Sequence, residues 1–215
     1  ISGLRKSFGP KQEEQLGANI ARPAVAQQPA VELVRSVEEI CNKVSARTGK
    51  QARIEWKLSG LFDKLPSRQR RVLQDALLQL VRNAVVHGIE SPADRGRASK
   101  PAFGCVTITL SRLPGEKRML MLVRDDGAGL DADAIRSKAV REKLIPAEAE
   151  LSENDLYALI FHPGFSTTDS ATEDSGRGVG LDLVRAEVVE ELNGEIQIAF
   201  SRGKFCEIGL IVPSE

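Results

Sequence analysis

Residues 106–129 read VTITLSRLPGEKRMLMLVRDDGAG, and this stretch decides the fold class. Val106, Ile108 and Leu110, then Met119, Met121 and Val123, recur at period two, the spacing of half-buried strands, and Pro114-Gly115 supplies a turn between them. A hairpin is expected. Further on, Ile196, Ile198 and Phe200 alternate, and Phe205 to Val212 alternate again after Arg202-Gly203, which predicts two closing strands. Toward the N-terminus, Ala52, Ile54 and Trp56 alternate with Arg53, Glu55 and Lys57, one more strand. The intervening segments have helical spacing. Leu33, Val37, Ile40, Cys41 and Val44 form one stripe, stopped by Thr48-Gly49-Lys50, and Leu73, Ala76, Leu77, Leu80 and Ala84 form a second, ending at Gly88. Ala132 to Glu142 and Asn154 to Phe161 read as short helices, and Leu181, Val184, Val188 and Leu192 as a longer one that stops at Asn193-Gly194. Hairpins interleaved with helices, without a regular strand–helix–strand repeat, predict an α+β fold: a two-layer sandwich with helices on one face of a mixed sheet.

Outside this core, residues 1–29 mix glycines, prolines and glutamines without periodicity and read as a linker or poorly structured segment, which leaves 30–215 as one domain. Lys plus Arg equals Asp plus Glu at 30 each, so the excess positive charge that neutralises nucleic-acid phosphates is absent. No apolar run approaches the roughly 20 residues needed to span a bilayer. Cys41, Cys105 and Cys206 lie in apolar-periodic segments without paired ligand spacing and are expected to be buried thiols in a reducing cytoplasm. The chain opens at Ile1 with neither an initiator Met nor a basic-then-apolar leader, which suggests a piece of a longer polypeptide.

The chemistry concentrates in four segments. Gln79, Asn83 and His87 are four residues apart and share a helix stripe turned away from Leu73, Leu77 and Leu80. That stripe is either a solvated face or a site wall, where an Asn amide oxygen suits a magnesium ion that keeps several waters and bridges phosphate oxygens. Asp125-Asp126-Gly127-Ala128-Gly129 is either an acidic turn or a base pocket. In the second reading Asp125 accepts from the exocyclic amine that distinguishes adenine from guanine, and the glycines let backbone approach a flat ring. Gly176-Arg177-Gly178-Val179-Gly180 opens a helix, where unpaired amides attract phosphate, although G-x-G-x-G alone is weak. Between them a polar loop, Ser166 to Ser170 with Glu173-Asp174, follows Phe165 and reads as a lid hinged at Gly164 or as plain surface loop.

The order and wording of these segments resemble the catalytic, ATP-binding domain of histidine kinases, specifically the chemotaxis kinase CheA family. Arg82-Asn83-Ala84, His87-Gly88-Ile89-Glu90, Lys138-Ala139, Pro163-Gly164-Phe165-Ser166-Thr167 and Ser175-Gly176-Arg177-Gly178-Val179-Gly180-Leu181-Asp182 carry the resemblance, from about residue 31 to the end. It implies a Bergerat (GHKL) sandwich that binds Mg-ATP, with Asn83 on the metal, Asp125 on adenine and 165–175 as the ATP lid. The implied catalytic positions are Gln79, Asn83 and His87. The implied nucleotide contacts are Asn83, His87, Asp125, Gly127, Gly129, Lys138, Ser166, Thr167, Thr168, Gly176, Arg177, Gly178, Val179, Gly180 and Leu181. The implied partners are a phosphoacceptor histidine domain, a response-regulator receiver, and a CheW-like adaptor with a chemoreceptor array.

The chain departs from the family at two positions on or just after the second helix, and at Gly203-Lys204-Phe205-Cys206, where the family commonly has Gly-x-Gly-Thr. Gln79 stands where His is usual, and Val86 where Asp precedes His-Gly. An amide is no base, so slower transfer or a divergent chemosensory branch is expected. Neither His87 nor His162 suits a phosphoacceptor, so the acceptor lies elsewhere. A protein-histidine kinase domain is the leading reading. An ATP-binding regulatory module with weak or no transfer is the second. A gyrase, Hsp90 or mismatch-repair type ATPase is the third and weakest, because those enzymes place an acid at the Gln79 position.

Overall fold

The computed structural model describes residues 4–5, 28–163, 165 and 180–214. A six-stranded mixed sheet runs in the order β1-β5-β6-β4-β3-β2. The strands are β1 (Leu4–Arg5), β2 (Ala52–Leu58), β3 (Gly104–Arg112), β4 (Arg118–Asp125), β5 (Glu195–Ser201) and β6 (Phe205–Pro213). Both expected hairpins are present: β3 pairs antiparallel with β4, Leu110 opposite Met121, and β5 with β6, Ile198 opposite Ile208. The hairpins join through the antiparallel β4–β6 pair, which sets Asp125 opposite Cys206. Parallel strands close each side, β2 on β3 and β1 on β5.

The helices α1 (Gln28–Thr48), α2 (Ser67–Asn83) and α6 (Leu181–Arg185) pack their apolar stripes on one face of this sheet. Leu33, Val37, Cys41 and Val44 of α1 and Leu73, Ala76, Leu77 and Leu80 of α2 meet Val106, Ile108, Met121 and Leu210 in a single core. Each fully buried Leu or Ile there contributes about 1.5–3 kcal/mol. Gly49, at φ +66, takes the left-handed turn that ends α1 and brings Lys50 round toward the end of α2. On the opposite face a smaller cluster of Leu113, Leu120 and Ile211 buries β6 on both sides. A third cluster joins Ile135 and Ala139 of α4 (Ala132–Arg141) to Leu156 and Tyr157 of α5 (Glu153–Ala158) and to Phe165.

Three features differ from the sequence reading. The residues that end the second helix, Ala84–Gly88, form a π-helical turn in which the Ile89 N–H donates to Ala84 O at 2.7 Å; α6 likewise continues into a π-helical Ala186–Glu191. A further helix, α3 (Pro92–Arg97), escaped notice because Pro-Ala-Asp-Arg-Gly-Arg carries no apolar stripe; the Ser91 hydroxyl caps it by accepting from the Asp94 N–H at 3.2 Å. Within the segment read as linker, α1 already begins at Gln28 and Leu4–Arg5 forms β1. Cys41 and Cys206 are buried as expected, whereas Cys105 is half-buried. Among the described residues no helix is long and apolar enough to cross a membrane.

Candidate functional site

Asp125 ends β4 and is only 5% exposed. Its neighbourhood is built from glycines that let backbone close on the carboxylate. A Cβ at Gly88 would lie 2.7 Å from Asp125 Oδ1, and one at Gly127 would lie as close to the same oxygen while striking the Gly88 carbonyl. The Gly127 N–H donates to Asp125 Oδ1 at 3.0 Å, and the Ala128 N–H donates to Gly88 O at 2.9 Å. The acidic turn is thereby stitched to the end of the π-helical turn. Gly129, at φ +70, presses against the carbonyls of Ser201 and Phe205, and the Gly203 N–H donates to Ala128 O at 2.7 Å, which ties the same turn to the β5–β6 hairpin. Burial pushes the Asp125 carboxyl up to about 6; the Gly127 N–H opposes this, the charge of Asp126 adds to it, and the Cys206 N–H and then Glu90 act in the same opposing senses with smaller effect.

Beside this pocket His87 remains exposed. Partial desolvation first, then the charges of Lys50 and Lys138, hold its imidazole below the ordinary range. Lys50 donates to Val86 O at 2.5 Å, and its own pKa is lowered by burial against the opposing charge of Glu90. Lys138 extends from α4 over the buried Phe165, its ammonium 5.2 Å from the ring centroid. Lys50 and Lys138 thus bring positive charge to the surroundings of His87, which suit an anionic ligand.

The structure brings together Asp125, Gly127, Gly129, His87 and Lys138. Gln79 and Asn83 are half-buried on the last turns of α2. The expected stripe does not extend unbroken to His87, because a π-helical turn spreads its bonds over five residues and carries His87 out of the i, i+4 stacking with Asn83. Gly180 caps α6 in an extended conformation, and Leu181 packs against the main core. Ser166, Thr167, Thr168, Gly176, Arg177, Gly178 and Val179, with the Gly164 hinge, lie outside the described residues. Among the described residues no group of three or more His, Cys, Asp or Glu could hold a metal ion.

Sequence reasoning missed a buried ionic network behind the acidic turn. The Arg95 side chain is fully buried; its guanidinium donates to Glu90 Oε2 and to Asp126 Oδ2, each at 2.9 Å, and to Pro101 O at 2.6 Å. Lys100 donates to Glu90 Oε1 at 2.6 Å, to Asp126 O at 2.9 Å and to Gly127 O at 2.7 Å. The available signal was charge without apolar periodicity, Glu90, Arg95 and Lys100 flanking a Ser-Pro helix start.

A sheet backed by helices on one face, with an acidic strand end buried among glycines, matches a known class. Residues 69–215 match the family of histidine kinase-, DNA gyrase B-, and HSP90-like ATPases, and the chain belongs to it. Within that class the chain is similar to the chemotaxis protein CheA of Rhizobium meliloti, 35% identical over 181 residues, which cover 84% of this chain and 23% of that protein. It is likewise similar to the chemotaxis protein CheA of Halobacterium salinarum, 42% identical over 143 residues, covering 66% and 21%. The gliding motility regulatory protein of Myxococcus xanthus is 43% identical over 144 residues, covering 66% and 18%. The chain therefore spans less than a quarter of the length of each of these relatives. Among solved structures, the nucleotide-free catalytic domain of histidine kinase ThkA superposes with a TM-score of 0.50 at 17% identity, covering 86% of this chain and 92% of that one, a likeness of fold.

Proposed function

We propose that this chain is the ATP-binding catalytic domain of a chemosensory protein-histidine kinase, which binds Mg-ATP and passes the γ-phosphoryl group to a histidine on a separate domain, from which a response regulator receives it. The observation that carries the reading is the Asp125 carboxylate, buried between Gly88 and Gly127 with one oxygen bonded to the Gly127 N–H, which leaves an acceptor for an exocyclic amine. His87 and Lys138 supply polar contacts on the phosphate side. Asn83 offers the hard amide oxygen a magnesium ion accepts, and a single protein ligand fits an ion that takes its other oxygens from water and phosphate. When bound, the ion neutralises phosphate charge. In the transfer, the bond from the γ-phosphorus to the bridging oxygen breaks as a bond to the acceptor imidazole nitrogen forms. ADP leaves with the electron pair, and the imidazole proton passes to solvent. Such a step depends mainly on positioning and charge, which suits a site with Gln79 in place of a base.

Gln79 also favours a second reading, an ATP-binding regulatory module with little transfer. One experiment separates the two. Titration calorimetry is expected to give Mg-ATP binding that Asp125→Asn weakens by about tenfold or more, because a buried acceptor is replaced by an amide that offers a donor to the amine. Radiolabelled γ-phosphate should then pass to an acceptor-histidine domain supplied in trans, faster with Gln79→His by up to about 100-fold if a base is what this site lacks. ATP binding with no label on the acceptor in either protein would leave the regulatory module. Equal binding by Asp125→Asn would remove the adenine assignment.

A further inference from the structure

We infer that Lys100, backed by Arg95, is a positioning residue for recognition of the nucleobase: it sets the direction in which the Asp125 carboxylate faces its ligand. The inference rests on the reading of Asp125 as the acceptor for the adenine amine. Its physical basis is one peptide group. The Asp126–Gly127 peptide is planar and trans, so its carbonyl and its N–H point in opposite directions. Lys100 holds the carbonyl at 2.9 Å, and the N–H donates to Asp125 Oδ1 at 3.0 Å. Fixing one end of the peptide fixes the other. Lys100 also grips the next carbonyl, Gly127 O, at 2.7 Å, so two successive peptides are held by one ammonium. All three of its donors are then used, the third on Glu90. An ion pair alone would need only Glu90.

The segment that delivers Lys100 is built for the task. Ser91 caps α3, and after this short helix Ser99 adopts φ +56, a left-handed conformation uncommon for a residue with a side chain. That turn lets the Lys100 N–H donate to Arg95 O at 2.9 Å and aims the side chain back toward the acidic turn. Arg95 anchors the other side of the same turn through Asp126 Oδ2, while Asp126 Oδ1 accepts from the Cys105 N–H at 2.9 Å. The carboxylate of Asp126 therefore faces the network, and that of Asp125 faces the pocket. A cation on the carbonyl also polarises the peptide and strengthens the bond its N–H makes to Asp125.

The test compares Lys100→Met, which keeps length but has no donor, with Lys100→Arg, which restores donors. Mg-ADP, Mg-GDP and magnesium tripolyphosphate are titrated calorimetrically, with folding checked by circular dichroism and thermal melting. The expected result is a loss of ADP affinity of about tenfold in Lys100→Met, a reduced ADP-over-GDP preference, and recovery in Lys100→Arg. Tripolyphosphate affinity should stay within about twofold, since the two carbonyls that Lys100 holds belong to the turn that carries the Asp125 carboxylate. Unchanged ADP affinity and base preference in folded Lys100→Met would overturn the inference, as would an equal loss for tripolyphosphate, the mark of a merely structural role. Should Lys100→Met fail to fold, Lys100→Gln, whose shorter uncharged amide keeps two of the three donors, is held to the same criteria. A parent chain that binds no ADP would overturn the Asp125 reading itself and this inference with it, whereas a parent that binds ADP beside an indifferent Lys100 variant would overturn this inference alone.

Discussion

A carboxyl that titrates near pH 6 inside a fold works against its own surroundings. Burial raises Asp125 from 3.8 to about 6, so the folded chain holds a proton there more tightly than the unfolded chain does. The stability gained from that proton is complete below 3.8, where both states are protonated, and is lost as pH rises through about 6. The shift corresponds to a cost on the order of 3 kcal/mol above pH 7. Asp125→Asn is therefore expected to raise the melting temperature of the nucleotide-free chain at pH 8 and to have a smaller effect at pH 4.5. Thermal unfolding at the two pH values checks this, and a gain of equal size at both would remove burial of the charge as the cause. Binding to an amine wants the ionised form, so nucleotide affinity should rise over the interval in which the empty fold loses stability.

At the level of elements, the π-helical turn at Ala84–Gly88 and the acidic turn at 125–129 form one unit. Gly88 is a glycine for contact, since a methyl there would lie 2.7 Å from Asp125 Oδ1. Gly88→Ala is expected to displace the carboxylate, to lower nucleotide affinity by about tenfold and to destabilise the chain by about 1–3 kcal/mol, the usual cost of inserting a methyl into a packed site. Calorimetric titration and urea unfolding measure the two effects. An alanine variant with parental affinity would mean that the close approach has no bearing on binding. The wider turn was not legible in the sequence, because Leu80, Ala84 and Gly88 satisfy α-helical spacing and only the observed bond from Ile89 to Ala84 reveals the extra residue.

For the whole molecule, the strands and the three sheet-covering helices were legible because apolar periodicity encodes which side of an element is buried, and Met121, Leu77 and Val188 lie in the core where their spacing put them. The strand order was not, since nothing local to Ala52–Leu58 says that it lies parallel to β3 rather than beside β4. In the site, Asp125 and its glycines were readable as a turn with unusual small residues. Arg95 and Lys100 were not, because their partners Glu90 and Asp126 are set by tertiary approach. The main core should dominate stability. Leu77, fully buried, meets both helices and sheet, so Leu77→Ala is expected to cost about 2–5 kcal/mol in urea unfolding. A cost below about 1 kcal/mol would show that the helix layer contributes little to holding the sheet.

The antiparallel pair β4–β6 joins residues 118–125 to residues 206–213 through the middle of the sheet. Until a ribosome has released the last of these, β4 has a bare edge, Asp125 lacks the partner strand that walls it, and the main core has no Leu210 or Val212. A nascent chain can therefore compact its first helices and the β3–β4 hairpin while the surroundings of Asp125 are still incomplete. Pairing across so long a loop is slow, and the exposed edge is a place where chains can associate wrongly in the interval. The surroundings of Asp125 are thus completed in one step, when β6 pairs with β4.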